Sequence, residues 1–145
     1  MAEELFRKAF KIYGRNFDEA GEASTEIKEI LKGLNIDPGI IRRTVVVAFE
    51  AEMNVVMYAK SATLNFIITD EEIGLEIADK GPGIADIDQA MQEGYSTASD
   101  EMREMGFGFG MGLPNIRKNA DHLIIESSVG EGTTLSARIR HNLNV

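Results

Sequence analysis

The chain has 145 residues, of which 43% are hydrophobic, so it is long enough and apolar enough for a single globular domain spanning residues 1–145. Its net charge of −9 argues against a protein that binds nucleic acid or an anionic membrane, because the overall field repels polyanions. The lack of cysteine excludes a disulfide framework and a thiolate metal site, while the acidic first residues and the absence of a long apolar stretch predict a cytoplasmic protein.

The first half of the chain predicts one strand followed by two helices. Residues 5–13 alternate loosely between apolar and polar, which predicts a strand that ends before Gly14. Residues 17–33 carry apolar residues at helical spacing. Asp37-Pro38 then begins a second helix that runs to about Ala59 and is apolar almost all round, as is typical of a buried helix. Its β-branched residues also permit a strand, but its length favours a helix.

The second half predicts four strands and two helices around a glycine-rich loop. The strands cover residues 63–69, 73–79, 123–127 and 133–139, the helices cover residues 86–92 and 114–120, and the loop covers residues 94–112. Taken together, the elements predict an α/β (α+β) two-layer sandwich, in which helices cover one face of a mixed β-sheet.

Two polar residues are predicted to point into the apolar layer between sheet and helices. The apolar residues of the strand at 73–79 occupy its odd positions, and Asp79 is in the same register. Thr133 is likewise in phase with the apolar residues of the last strand. A carboxylate and a hydroxyl in such a layer suit adenine, which has a flat apolar body, an exocyclic amine for Asp79 and a ring nitrogen for Thr133, reached directly or through water. The alternative is a structural Asp79 that caps the following turn.

The buried helix carries a second pair of polar residues. Glu50 and Asn54 are four positions apart and therefore share a helix face. The carbonyl oxygen of Asn54 can bind Mg²⁺, and Glu50 can hold a metal-bound water or act as a general base. The alternative is a solvated polar stripe that also includes Glu52.

Glycine occupies every second position from Gly106 to Gly112, followed by Leu113. Backbone amides of such a segment, and of the helix that begins near Gly112, can approach a chain of phosphates closely. The spacing matches neither a Walker nor a Rossmann pattern, so on its own it is also compatible with an exposed flexible loop.

Together these motifs resemble the GHKL, or Bergerat-fold, superfamily of ATP-binding proteins. Glu50-Ala-Glu-Met-Asn54 resembles an N-box, Asp79-Lys-Gly-Pro-Gly83 a G1 box and residues 106–112 a G2 box, and Gly130-Glu-Gly-Thr133-Thr134 resembles the closing motif. Within the superfamily, the short chain and residues such as Tyr58-Ala59 and Gly94-Tyr-Ser-Thr97 are most similar to anti-sigma-factor and switch serine-protein kinases.

The resemblance implies ATP and Mg²⁺ as cofactors and a role for each matching residue. Asn54 would coordinate Mg²⁺ and Glu50 would act as the catalytic base toward the hydroxyl that is phosphorylated. The residues implied in nucleotide binding are Asp79 and Thr133 at adenine, Gly81 and Gly83 in the turn beside the ring, and Gly108, Gly110, Gly112 and Leu113 at the phosphates.

Two functions follow from the resemblance. The first is a Mg·ATP-dependent serine/threonine-protein kinase that phosphorylates a small antagonist protein. The second is a non-catalytic switch whose nucleotide-controlled loop binds a sigma factor or another enzyme. The second draws on a departure from the family: some of these kinases carry an Arg just before the last glycines of the loop, where this chain has Gly108 and Phe109, so that Arg103, Arg117 or Lys118 would have to substitute. A homodimer is compatible with either.

Overall fold

A computed structural model of the chain describes residues 3–92 and 112–141. Nine elements follow one another along these residues. They are β1 (Glu4–Tyr13), α1 (Glu22–Gly33), α2 (Pro38–Tyr58), β2 (Ser61–Thr69), β3 (Glu72–Lys80), α3 (Ile87–Ala90), α4 (Gly112–Asn119), β4 (His122–Ser128) and β5 (Gly132–Arg140). Every predicted strand and helix is therefore present. The two-layer arrangement of helices on a sheet is confirmed.

The sheet has the strand order β1-β2-β3-β5-β4, and all four neighbouring pairs are antiparallel. The prediction of a mixed sheet is therefore wrong. The reason lies in the connections: two helices, α1 and α2, separate β1 from β2, whereas parallel neighbours are usually joined by a single crossover helix. The pairs β2–β3 and β4–β5 are joined by short turns, which also require antiparallel strands.

One face of the sheet carries the core. Leu64, Phe66 and Ile68 of β2 pair across the strands with Ile77, Leu75 and Ile73 of β3, and all six side chains are buried. The inward residues of β5 continue this layer, because Ile73 pairs with Ile139 and Ile77 with Leu135. Helices α1, α2 and α4 cover this layer. On the opposite face, Arg138 lies along the sheet and forms an ion pair with Glu76 at 2.7 Å.

Helix α2 is the central element of the helical layer. Its N-terminus is capped by the Asp37 carboxylate, which accepts hydrogen bonds from the backbone N–H groups of Gly39 at 3.0 Å and Ile40 at 3.3 Å. Pro38 occupies the first turn, where its missing N–H costs no hydrogen bond. The helix packs against α1 and α4 as well as the sheet, so most of its circumference is buried. No helix among the described residues is long and apolar enough to cross a membrane.

Helix α1 begins at Glu22, five residues later than the predicted start at residue 17. The preceding residues form turns, in which the backbone N–H of Ala20 donates to the carbonyl of Phe17 at 3.3 Å. Gly21 then adopts a left-handed conformation with φ of 96°, which interrupts the helical path. The apolar spacing of the segment was compatible with a longer helix because turns and helices can bury the same residues.

Candidate functional site

Asp79 lies near the end of β3 on the helix-covered face, as its register predicted. It pairs with Ala62 across β2, and its side chain is half-buried. Its Oδ1 accepts a hydrogen bond from the backbone N–H of Thr133 at 3.0 Å. Burial raises the pKa of this carboxyl, and the hydrogen bond from Thr133 opposes that shift. The two predicted base-binding residues, Asp79 and Thr133, are therefore in contact. The backbone amide of Thr133 makes this contact, not its hydroxyl.

The Thr133 hydroxyl contacts a residue that the sequence analysis missed. Its Oγ1 lies 2.8 Å from the Oγ of Ser127, on the neighbouring strand β4. Ser127 also accepts a hydrogen bond from the backbone N–H of Ile84 at 2.7 Å and lies 3.1 Å from the carbonyl oxygen of Gly132. The alternation of β4 could have revealed Ser127, because it is in phase with the two inward residues Leu123 and Ile125.

The turn after Asp79 is attached to the β4–β5 turn. The backbone N–H of Gly130 donates to the carbonyl oxygen of Pro82 at 2.8 Å. Gly83 has a left-handed φ of 77°, and a Cβ there would collide with the carbonyl oxygen of Ser128. A Cβ on Gly81 would lie 3.1 Å from Oδ1 of Asp79. Both glycines thus allow the turn to pack closely beside the base-binding residues, and their proposed proximity to a nucleotide ring stays a prediction.

Glu50 and Asn54 lie on the same face of α2, where α4 begins. A Cβ added to Gly112, the first residue of α4, would lie 3.3 Å from both Oδ1 of Asn54 and Oε2 of Glu50. Asn115, one turn into α4, donates from Nδ2 to Oε1 of Glu50 at 3.4 Å. Helix α4 is held there by Ile116, which is fully buried in the core. The structure therefore brings Gly112 next to Glu50 and Asn54, although Gly112 lies far from both of them in the sequence.

The chemistry available at this junction follows from its groups. Burial raises the pKa of the Glu50 carboxyl, with a smaller opposing effect of the hydrogen bond from Asn115, and a raised pKa makes the carboxylate a better proton acceptor. The described residues contain no cluster of three or more His, Cys, Asp or Glu that could hold a metal by themselves. The oxygen of Asn54 suits Mg²⁺ that takes its remaining ligands from phosphate and water.

Glu52 is not part of a solvated stripe. Its side chain is buried, with 3% of its surface exposed, and its carboxylate accepts three hydrogen bonds from backbone N–H groups at the start of α1. The donors are Gly21 at 3.1 Å, Ala23 at 3.3 Å and Ser24 at 3.1 Å. Since α1 has no side-chain cap of its own, the carboxylate of α2 takes that role, favoured by the positive end of the helix dipole.

A groove between α1 and α2 leads to Glu50. Its lining is mostly apolar and includes Ala20, Val45 and Phe49, whose side chain is 40% exposed. Glu50 is also one of the residues that line this groove, and its carboxylate oxygens face α4.

The structure describes some of the other residues that were predicted to bind phosphate. Leu113 is half-buried and packs against the core, so its side chain supports α4. Arg117 and Lys118 lie in the last turn of the same helix, with exposed side chains. Gly108 and Gly110, together with Phe109, Arg103 and the rest of the loop up to Met111, lie outside the described residues.

Comparison with known proteins identifies a protein family whose model covers this site. Residues 39–143 match the family model for histidine kinase-, DNA gyrase B- and HSP90-like ATPases. The match includes Glu50, Asn54, Asp79, Gly112 and Thr133. It therefore covers both the base-binding strands and the junction between α2 and α4.

Among curated proteins, the serine/threonine-protein kinase RsbT of Bacillus subtilis is 33% identical over 92 residues, which are 61% of this chain and 63% of RsbT. An anti-sigma F factor of Geobacillus stearothermophilus is 30% identical over 124 residues, or 81% of this chain and 67% of that protein. A crystal structure of the RsbU and RsbW domains of a Mycobacterium tuberculosis protein matches 92% of this chain and 32% of its own, with a TM-score of 0.61 and 14% identity. At that identity, the similarity shows a shared fold.

Proposed function

The chain belongs to the family of histidine kinase-, DNA gyrase B- and HSP90-like ATPases, and we propose that it is a Mg·ATP-dependent serine/threonine-protein kinase that regulates a partner protein. The relatives named as a serine/threonine-protein kinase and as an anti-sigma F factor support this class of activity. The match to RsbT covers 63% of that protein, which is less than two thirds of its length. The kinase activity of the whole relative is therefore proposed for this chain.

The observation that carries the proposal is that Gly112 lies so close to Glu50 and Asn54 that an added Cβ would lie 3.3 Å from an oxygen of each. Gly112 opens α4, and the N-terminus of a helix attracts phosphate through its unpaired N–H groups and dipole. The same point lies beside a carboxylate of raised pKa and an amide oxygen suited to Mg²⁺. A proton acceptor, a metal ligand and a phosphate-binding backbone at one place are the groups that phosphoryl transfer requires.

In this mechanism each residue has one task. Asp79 binds the exocyclic amine of adenine, and the helix start at Gly112 holds the phosphates. Mg²⁺, when bound, neutralises negative charge on the phosphates, and Asn54 would be its protein ligand. The oxygen of a substrate hydroxyl forms a bond to the γ-phosphorus while the bond from that phosphorus to ADP breaks. The hydroxyl proton passes to Glu50.

We propose that the substrate is a small antagonist protein, whose Ser or Thr enters along the groove between α1 and α2. The exposed ring of Phe49 gives this groove an apolar contact surface next to Glu50. A sigma factor is the second partner class, because relatives carry the name anti-sigma F factor.

The alternative function is an ATP-dependent switch without phosphotransfer. The sequence departure that favours it is Gly108-Phe109, where some related kinases have an Arg that reaches the γ-phosphate. Arg117 is described on α4 and has an exposed side chain, so it is one candidate replacement.

The decisive experiment incubates the protein with γ-labelled ATP, Mg²⁺ and the antagonist-like proteins encoded next to it. We expect label on a Ser or Thr of one of these proteins. Glu50→Gln should bind ATP like the wild type and transfer phosphate about two to four orders of magnitude more slowly, whereas Glu126→Gln, a matched change on the exposed face of β4, should not alter the rate. Transfer to none of them, combined with ATP-dependent binding of one, would replace the kinase by the switch.

A further inference from the structure

We propose that a second copy of this chain pairs with the free edge of β1, so that two sheets join into one across a two-fold axis at Phe10. Strand β1 is an outer strand, and among the described residues it pairs with β2 only. Two exposed large apolar residues, Leu5 and Tyr13, lie on it. The pairing goes beyond the proposed function, because β2 separates β1 from the strand that carries Asp79 and no nucleotide takes part.

The free edge carries backbone groups that can bind a second strand. The backbone N–H of Asp70 donates to the carbonyl of Glu3 at 3.2 Å, and the carbonyl of Lys60 accepts from the backbone N–H of Gly14 at 2.9 Å. Asp70 and Lys60 flank β2, so its even-numbered residues face β1, and the register pairs them with the even-numbered residues of β1 from 6 to 12. The N–H and C=O groups of the odd-numbered residues from 7 to 13 therefore face outward.

Charge selects the register of this pairing. A two-fold axis at residue 7, 8 or 11 sets a basic side chain opposite its own copy. An axis at Ala9 sets Arg7 opposite Lys11 of the second copy. Like charges that lie directly opposite each other destabilise a sheet. Of the five central positions from 7 to 11, Phe10 alone avoids this conflict.

An axis at Phe10 also brings complementary side chains together. Arg7 then faces Tyr13 of the second copy, which is 56% exposed and can accept the guanidinium on its ring. The two Phe10 side chains meet on the helix-covered face, where an aromatic pair adds to the apolar burial. Lys8 faces Ile12 of the second copy on the same face.

A cavity beside Ile12 provides the opposite charge for this lysine. The cavity has a volume of about 180 Å³, and its lining includes Ile12, Glu22 and Glu26. Lys8 of the same chain binds Glu26 at 2.6 Å, whereas Glu22 forms no ion pair within the part of the chain that the structure describes. A lysine that points to the covered face at a sheet edge normally keeps a second strand away. Glu22 gives Lys8 of the second copy a partner, so the same lysine favours one register.

The first test is sedimentation equilibrium of the full chain, which should give twice the 16.0 kDa mass of one chain. Ala9→Pro should raise the dissociation constant of the dimer about 100-fold, because proline removes an N–H that faces the free edge and leaves the bonds to β2 intact. Ala9→Val keeps this N–H and suits a strand, so it should change the constant less than about threefold. A wild type that stays monomeric up to millimolar concentration, or a dimer that Ala9→Pro does not weaken, would overturn the proposal.

The second test determines the register with single cysteines, since the chain has none of its own. Phe10→Cys should form a disulfide-linked dimer with oxidised glutathione, because directly opposite residues of this kind lie about 4.5 Å apart at Cα, within disulfide range. Ala9→Cys and Lys8→Cys should not crosslink, and crosslinking of either in place of Phe10→Cys would overturn the proposed axis. If Phe10→Cys does not fold, the double variant Ala9→Cys/Lys11→Cys, with both changes at exposed positions, should crosslink although Ala9→Cys alone does not.

The third test concerns the cavity. Glu22→Gln should raise the dissociation constant of the dimer about three- to tenfold, because an ion pair is lost twice across the two-fold axis. Glu29→Gln, an exposed change on the same helix outside the cavity lining, should leave the constant within about twofold of the wild type. Equal effects of the two variants would overturn the contact between Lys8 and Glu22 of the other copy.

Discussion

The backbone N–H of Thr133 donates to Oδ1 of Asp79 at 3.0 Å, which ties β5 to the neighbouring middle strand β3 at the base-binding end. The bond occupies one carboxylate oxygen and fixes the rotation of the side chain. The second oxygen is then held in a defined direction for a ligand donor. Asp79 is thus oriented before a nucleotide binds, which lowers the entropic cost of binding.

Asp79→Asn should weaken ATP binding by about 10- to 100-fold, because a hydrogen bond to a charged group contributes roughly 1.5–3 kcal/mol. The asparagine oxygen can keep the bond from Thr133, so its amino group would face the adenine amine, donor against donor. Titration calorimetry of the two proteins, with Asp88→Asn on α3 as an exposed control, checks this. Equal ATP affinity in wild type and Asp79→Asn would show that the pocket is assigned wrongly.

Glu52→Gln should lower the free energy of unfolding by about 1–3 kcal/mol, because the neutral amide replaces one acceptor oxygen with a donor that faces the start of α1. Urea denaturation at neutral pH measures this loss. Glu29→Gln, an exposed change on α1 itself, should shift stability by no more than about 0.5 kcal/mol. Similar small effects for both variants would mean that the Glu52 carboxylate does not stabilise the helix.

Gly112→Ala should weaken ATP binding about tenfold in the presence of Mg²⁺ and much less in its absence. The added Cβ lies 3.3 Å from the oxygens of Asn54 and Glu50, which must shift by a few tenths of an ångström, and displaced metal ligands commonly lose that much affinity. Gly33→Ala is the matched control, because a Cβ there meets no atom within 4 Å. The same loss with and without Mg²⁺ would contradict a metal role for Asn54.

The sequence alone predicted the parts of the site that depend on local periodicity. The two-residue alternation of β3 was enough to place Asp79 on the covered face, and the four-residue spacing in α2 was enough to place Glu50 beside Asn54. Both are properties of a single element. The prediction that the ligand is a nucleotide came from the resemblance to a known family, because no single element indicates it.

What the sequence did not show depends on contacts between distant elements. The three hydrogen bonds of Glu52 join residues 28 to 31 positions apart, and nothing in the local pattern distinguishes it from an exposed Glu. The hydrogen bond between Ser127 and Ile84 likewise joins distant elements, because Ile84 is brought onto β4 only in the folded chain. Strand direction was predicted wrongly for the same reason, since the path of α1 and α2 decides it.

The raised pKa of Glu50 predicts how stability depends on pH. Burial is the main cause, so the folded protein holds the Glu50 proton more tightly than the unfolded chain does. In the pH window between the unfolded pKa, about 4.3, and the higher folded pKa, the folded state binds more protons than the unfolded state. Stability contributed by Glu50 is therefore present at low pH and is lost as pH rises through this window.

Glu50→Gln removes this titration and keeps an oxygen for the bond from Asn115. Its free energy of unfolding, minus that of the wild type, should increase as pH rises through the window and become constant above it, because other carboxyls such as Asp79 contribute equally to both proteins. Urea denaturation at intervals between about pH 4 and pH 8 measures the difference. A difference that stays constant over this whole range would show that burial does not disfavour the charged form of Glu50.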